Sequence, residues 1–221
     1  MKLSFEQWQP IYREIVQDMG FDEREDERAA RLLSELILEH ENVVRLEVLR
    51  RLIEGGVVLV CGNAPTLARD LGRVKSEDYD VLIAADGATE VLLKADVLPS
   101  IIVTDLDAEN IEAEVDASRE GAVVLVHAHG DNIPVVRGVV PRLDNLIGTT
   151  QAKPLPNVHN FGGFTDGDRA VFLADYFDAK DIELIGFDFK DPNVSDLKKK
   201  KLVWAERLIE MVFNERSRHK L

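Results

Sequence analysis

The sequence predicts an α/β protein: a doubly wound, mostly parallel sheet preceded by an N-terminal helical region. Three observations predict it. Residues 1–54 place their apolar side chains at helical spacing and contain no strand candidate. From Val57 onward, short β-branched runs alternate with helix-length stretches. Those runs are apolar throughout rather than at every second residue, as in strands covered on both faces. Gly55-Gly56 marks the change of texture and divides the chain into 1–54, a helical layer, and 55–221, an α/β domain. With 221 residues there is chain enough for one core with an appendage.

The first helix carries Trp8, Tyr12, Ile15, Val16 and Met19, with Pro10 near its first turn and Gly20 to end it. A second opens at Asp22 with Glu25 three residues on, a capping-box-like pair, and lines up Ala29, Leu33, Leu36, Ile37 and His40. The periodicity pauses near Asn42 and resumes with Leu46, Leu49, Leu52 and Ile53. These helices suit a cover over a sheet or a subunit interface, which leaves a homo-oligomer open. The expected strands are Val57 to Cys61, Val81 to Ala85, Ile101 to Thr104, Ala122 to His127 and Ile182 to Phe187. A basic run, Lys198 to Lys201, falls on a terminal helix, where solvated lysines are the plain reading and phosphate contact the functional one.

Charge and cysteine content narrow the function. The net charge is 27 − 41 = −14, which excludes nonspecific coating of a nucleic-acid backbone. Any phosphate ligand must arrive with a cation or meet a local basic cluster. Cys61 is the one cysteine, so an internal disulfide and a cysteine-rich metal site are excluded, and it reads as a small buried hydrophobe. No run is long enough to span a bilayer and the N-terminus has no signal-like stretch, so no membrane partner is expected and the location should be cytoplasmic.

Ligands of open α/β sheets bind beyond the C-terminal ends of the strands, and here those ends carry carboxylates. Asp86 follows Val81 to Ala85, Asp105 and Asp107 follow Ile101 to Thr104, Asp131 follows Ala122 to His127, and Asp188 follows the last run. Each alone could cap a helix or make an Asx-turn. Together on one rim they would repel one another unless a cation sat among them. Hard oxygen ligands suit Mg²⁺ or Mn²⁺, which would let an acidic protein hold a nucleotide triphosphate. His127 and His129 border that rim and could steady the carboxylates.

Two loops complete the candidate site. The turn Cys61-Gly62-Asn63-Ala64-Pro65-Thr66 could bring backbone N–H groups to a phosphate, although it has neither the glycines of a dinucleotide fingerprint nor a P-loop lysine. The segments Gly148-Thr149-Thr150-Gln151 and Asn157 to Ala170 combine glycines, polar groups and aromatics beside a helix start near Asp168. They suit a planar polar heterocycle, with Arg169 able to reach a phosphate.

Together, Asn160-Phe161-Gly162-Gly163-Phe164-Thr165-Asp166-Gly167-Asp168-Arg169-Ala170, Ala85-Asp86-Gly87-Ala88, Thr104-Asp105-Leu106-Asp107 and His129-Gly130-Asp131-Asn132 resemble the archaeal 6-hydroxymethyl-7,8-dihydropterin pyrophosphokinase family, related in its core to thiamin pyrophosphokinases. The resemblance runs from about Trp8 to the basic helix. It implies transfer of the terminal diphosphate of ATP to the hydroxymethyl group of a pterin-like molecule, release of AMP, and Mg²⁺. It implies metal ligation by Asp105 and Asp107 with Asp86 and Asp131 beside them, and Asp131 as base or further ligand. Gly62, Asn63, Ala64, Asp86, Gly87 and Arg169 fall on the nucleotide, and Gln151, Asn160, Asp166 and Asp168 on the acceptor. Residue 108 is Ala where the family favours Gly, and the extra β-rich domain of thiamin enzymes has no counterpart here. Three rivals stand beside this reading: a metal-dependent nucleotide-sugar glycosyltransferase, for which Asp105-Leu106-Asp107 is also the kind of pair that holds a metal, a thiamin pyrophosphokinase-like enzyme, and a noncatalytic nucleotide- and metal-binding module with the helical N-terminus as a partner surface.

Overall fold

The computed structural model describes residues 2–219. Three helices, α1 (Phe5–Met19), α2 (Glu23–Leu38) and α3 (Leu46–Ile53), precede seven strands. These are β1 (Val57–Cys61), β2 (Val81–Ala85), β3 (Ile101–Thr104), β4 (Val123–Ala128), β5 (Leu146–Thr150), β6 (Val158–His159) and β7 (Asp181–Ile185). All pair in parallel, in the order β6-β5-β4-β3-β2-β1-β7. The interspersed helices are α4 (Leu67–Leu71), α5 (Ala88–Leu93), α6 (Ile111–Arg119), α7 (Ile133–Val139), α8 (Asp166–Tyr176) and α9 (Asp196–His219).

Because the strand repeat is two residues, alternate side chains feed opposite faces. Val58, Val60, Ile83, Ile101, Val103 and Leu125 pack under α1, α3, α8 and α9. Leu59, Cys61, Leu82 and Ala84 pack under α4 and α5, and Ile102, Val124 and Val126 under α2, α6 and α7. The predicted α/β class and doubly covered parallel sheet are therefore present. Among the described residues no helix is long and apolar enough to cross a membrane.

Two strands were not expected. Gly148-Thr149-Thr150, read above as part of a loop, lies in β5, which has only two leading apolar residues and then a glycine. The glycine belongs there because a Cβ on Gly148 would stand 2.3 Å from the Ile37 side chain of α2. The two-residue β6 is too short to show a period. Smaller differences occur at helix starts and ends. Pro10 lies beyond the first turn of α1, whose capping box is Ser4 with Gln7. Asp22 caps α2 through the Arg24 N–H, while Glu25 pairs with Arg28 instead of returning to the cap. The second helix ends at Leu38, before His40.

The N-terminal helices straddle the sheet, α1 and α3 on one face and α2 on the other. Trp8 anchors this arrangement. It is 1% exposed, meets Phe172 of α8 edge-on at 6.1 Å, and donates its indole N–H to Gln151 O at 2.9 Å. Truncating a large, fully buried aromatic leaves a cavity and here also takes from Gln151 O one of its two donors, so Trp8→Ala should cost about 3–5 kcal/mol. Urea unfolding of the variant beside the parent chain checks this.

Candidate active site at the carboxyl edge of the sheet

Strands β2 and β3 are neighbours and end on the same rim, so the residues just beyond them meet. Asp86 (φ 47°) and Leu106 (φ 67°) both adopt the left-handed conformation that non-glycine residues usually avoid. Thr104 ties the two turns together: its hydroxyl donates to Asp86 Oδ1 at 3.0 Å and accepts the Leu106 N–H at 2.8 Å. The strained turns bring one carboxylate oxygen from each of Asp86, Asp105 and Asp107 to within 4.8 Å of one another.

That proximity shows in the titrations. Burial and the charge of Asp105 push the Asp86 carboxyl upward. Desolvation, then Asp105 and Asp86, lift Asp107 to about 6. Asp105 is 8% exposed, and burial alone would raise it too. A hydrogen bond from His129 Nε2 at 3.2 Å and the nearby Arg169 charge prevail and hold it well below the ordinary carboxylate range. With Asp107 ionised, Asp105 Oδ1 is buried without a hydrogen-bond partner. Three hard oxygen donors, mutually repelling and with one lone-pair site orphaned, fit a small divalent cation.

The other expected residues divide. Asp131 is exposed and outside this group, since β4 runs on to Ala128 and a 3-10 turn then carries residue 131 into solvent. The residue of that turn that reaches the rim is Asn132, which donates to Asp105 O at 2.8 Å and His127 O at 2.7 Å. Asp188 accepts from the Lys190 N–H in a local turn. The N–H groups of Gly62 and Ala64 do not face a ligand: they donate to Ile185 O and Gly186 O of the β7 end, both at 2.9 Å. Gly62 has no room for a side chain, as its Cβ would lie 2.6 Å from Gly186 O. Asn63 instead extends its amide over Gly87, where a Cβ would stand 2.4 Å from Asn63 Nδ2.

On the acceptor side, Asp168 is fully buried and occupied. It accepts from the N–H groups of Phe164 and Thr165 and from the Thr165 hydroxyl, capping α8. Asp166 pairs with Arg169 at 3.0 Å. Burial and then Asp105 still push its carboxyl well up, despite the downward pull of Arg169. Arg169 also donates to Gln151 Oε1 at 3.2 Å. Glu114 of α6 carried no sequence signal, being one acid in an acidic amphipathic helix. It is completely buried, and burial and Asp86 raise its carboxyl well above the usual range.

Two compartments lie at the strand ends, and only the larger is lined by clustered carboxylates. One is a cavity of about 410 Å³ lined by Asn63, Asp86, Gly87, Asp107, Asn110 and Lys198. The other is a recess of about 10 Å³ beside His127, Thr149, Thr150, Phe161 and Arg169. Of the basic run on α9, Lys199 and Lys200 pair with Asp196 and Asp18, Lys198 lines the large cavity, and the charge of Lys201 lowers Asp107.

Asp107 supplies a pH signature. Its folded pKa near 6 lies above the unfolded value of about 3.9, so it takes up a proton on folding between those values. Without divalent cations its stabilising effect should be full below about pH 4 and lost as pH rises through 6. Chelator-treated protein unfolded in urea from pH 4 to 7 should show this slope, and Asp107→Asn should flatten it.

The chain is similar over nearly its whole length to proteins named 6-hydroxymethyl-7,8-dihydropterin pyrophosphokinase. That of Methanothermobacter thermautotrophicus is 44% identical, covering 92% of each chain. That of Pyrococcus furiosus is 42% identical over 96% of this chain and 95% of its own. That of Methanocaldococcus jannaschii is 37% identical over 94% and 95%. The family model described as 6-hydroxymethylpterin diphosphokinase MptE-like matches residues 34–194, a span that includes the three clustered aspartates and the lining of both compartments except Lys198. With the rim geometry and these relatives agreeing, the chain belongs to the MptE-like 6-hydroxymethylpterin diphosphokinase family of enzymes.

Proposed function

We propose that this chain transfers the β,γ-diphosphate of ATP to the hydroxymethyl oxygen of a 6-hydroxymethyl-7,8-dihydropterin and releases AMP. The observation that carries the proposal is the carboxylate triad Asp86, Asp105 and Asp107, two of whose members line a large polar cavity, in a member of this family. These three residues would hold Mg²⁺, which supplies charge neutralisation for the phosphate oxygens. The hydroxymethyl oxygen forms a bond to the β-phosphorus as the bond from that phosphorus to the oxygen bridging the α-phosphate breaks. The transfer asks little covalent chemistry of the protein, so its residues act by positioning and by charge.

ATP is assigned to the 410 Å³ cavity, with the Asn63 amide and Lys198 as its polar contacts and Lys201 adding positive charge. Gly62 lets the β1 and β7 loops close beneath it, and Gly87 leaves room for Asn63. His129 and Asn132 hold the Asp105 turn in place through hydrogen bonds to its carboxylate and carbonyl. Asp166, paired with Arg169 and within the field of Asp105, is assigned the hydroxyl proton. Asp131 receives no metal contact in this arrangement. The 54/55 division is retained as one of roles: residues 55–221 carry the ion and nucleotide, and residues 1–54 brace the acceptor side through Trp8 and Asp26.

Asp105→Asn should keep the fold, read by circular dichroism, and lose at least roughly 10²–10³-fold in turnover, the scale of removing a directly stabilising charge. Chromatography of the nucleotide product with ATP, Mg²⁺ and acceptor should show AMP; ADP or free phosphate would contradict diphosphate transfer. Lys198→Ala should raise the KM for ATP several-fold with a smaller change in kcat, roughly the value of one charge-assisted contact.

A further inference from the structure

The polar groups first expected to read the acceptor ring are already engaged. Asn160 gives both amide hydrogens to Gln151 O and Ala152 O, and its Oδ1 accepts the Gly162 N–H. Gln151 donates to Asp26 Oδ2 at 2.7 Å and accepts from Arg169 Nη2. Asp168 caps α8. Two buried polar atoms beside the small recess have no hydrogen-bond partner: His127 Nε2 and Arg169 Nε. Their residues are 2% and 7% exposed.

The hydrogen bonds around His127 define which kind of partner it lacks. The Thr149 hydroxyl has one hydrogen, and Val126 O, 3.1 Å away, can only accept it. Thr149 Oγ1 must then accept at its other contact, so His127 Nδ1, 3.1 Å away, carries the ring hydrogen. Burial keeps the imidazole neutral. His127 Nε2 is therefore a bare lone pair, an acceptor, whereas Arg169 Nε–H is a fixed donor. The recess of about 10 Å³, bordered by Phe161, Leu125 and Leu173, holds a single edge group, so only the rim of a ring can enter it.

We propose that His127 Nε2 and Arg169 Nε–H read the cyclic-amide edge of the acceptor heterocycle, the ring N–H donating to His127 and the adjacent ring carbonyl accepting from Arg169. This rests on the function proposed above and names the two side chains that set its acceptor specificity. A site with a buried acceptor beside a buried donor discriminates strongly, because a ring with the reversed pattern leaves both groups unpaired against like partners.

The test compares 6-hydroxymethyl-7,8-dihydropterin with its 2,4-diamino counterpart, in which the carbonyl becomes an amino donor and the ring N–H becomes a lone pair. AMP release should favour the oxo compound by at least about 100-fold in kcat/KM. His127→Leu should raise the KM for the oxo compound about 10–100-fold while the KM for ATP stays near the parent value, and the preference between the two rings should shrink by a similar factor. His127→Gln, which offers an amide oxygen, should recover part of both. Unchanged acceptor KM and unchanged preference in His127→Leu would overturn the proposal. A second measurement uses the parent chain, so it does not depend on the variant folding. With Mg²⁺ and a nonhydrolysable ATP analogue present, adding the oxo compound should move the ¹⁵N resonance of His127 Nε2 upfield, as for a lone pair that begins to accept. A resonance that stays put when the acceptor is bound would overturn it equally. Parent protein that binds the oxo compound with this shift yet forms no AMP would locate the failure in the proposed reaction rather than in ring recognition.

Discussion

The rim of this protein is organised around one electrostatic conflict: three carboxylates from two adjacent parallel strands share a space less than 5 Å across. Left alone they would move apart or take up protons. The fold prevents the first by locking both turns to Thr104 and by accepting left-handed conformations at Asp86 and Leu106. It answers the second unequally. Asp105, bonded to His129 and in the field of Arg169, stays ionised, while Asp107 and Asp86 are pushed upward. A preorganised arrangement of this kind resembles a strained spring held shut by neighbours, which the cation of the proposed function would relieve.

The helices of the first 54 residues reach this rim through the Trp8 indole and through the buried carboxylate of Asp26. Asp26 of α2 accepts from the Tyr12 hydroxyl of α1, the Gln151 amide beyond β5 and the Gly130 N–H beside His129. Gln151 continues to Arg169, and Arg169 to Asp166. The chain of contacts thus runs from the helical region, around the sheet edge, to groups on both sides of the triad. Tyr12 shows how dry the junction is: burial and then the bond to Asp26 lift its hydroxyl far above the normal phenol range. Because the Tyr12, Asp26 and Gln151 groups are taken up in these bonds, the network orients side chains without offering those groups to a ligand. That saturation is also what singles out His127 and Arg169 as groups with capacity left.

Much of the fold was legible because its signals are local. β-branched runs such as Val57 to Cys61 admit few readings, and the aspartates that follow the second and third runs stand where parallel sheets expose their rim. Strand β5 was missed because buried Thr149 and Thr150 look polar in a list and buried only in place. Asp131 and Asn132 show the limit at a single residue. Both suit a turn, and whether position 131 or 132 faces inward depends on a 3-10 turn whose direction no spacing rule supplies. The loop at Gly62 illustrates the same point: a glycine-containing turn after a strand suggests phosphate capture, yet its N–H groups are consumed by the neighbouring β7 end.

The amino-acid sequence by itself determined the covered parallel sheet, the family resemblance and the set of residues from which a cation site could be drawn, since hydrophobic runs and strand-end residues follow from local chemistry. Which of those residues meet, which are already hydrogen-bonded, and which retain an unshared lone pair or hydrogen was decided only by the tertiary structure. Hydrogen-bond capacity is finite, and its distribution depends on partners more than a hundred residues away, as Asp26 and Gln151 are.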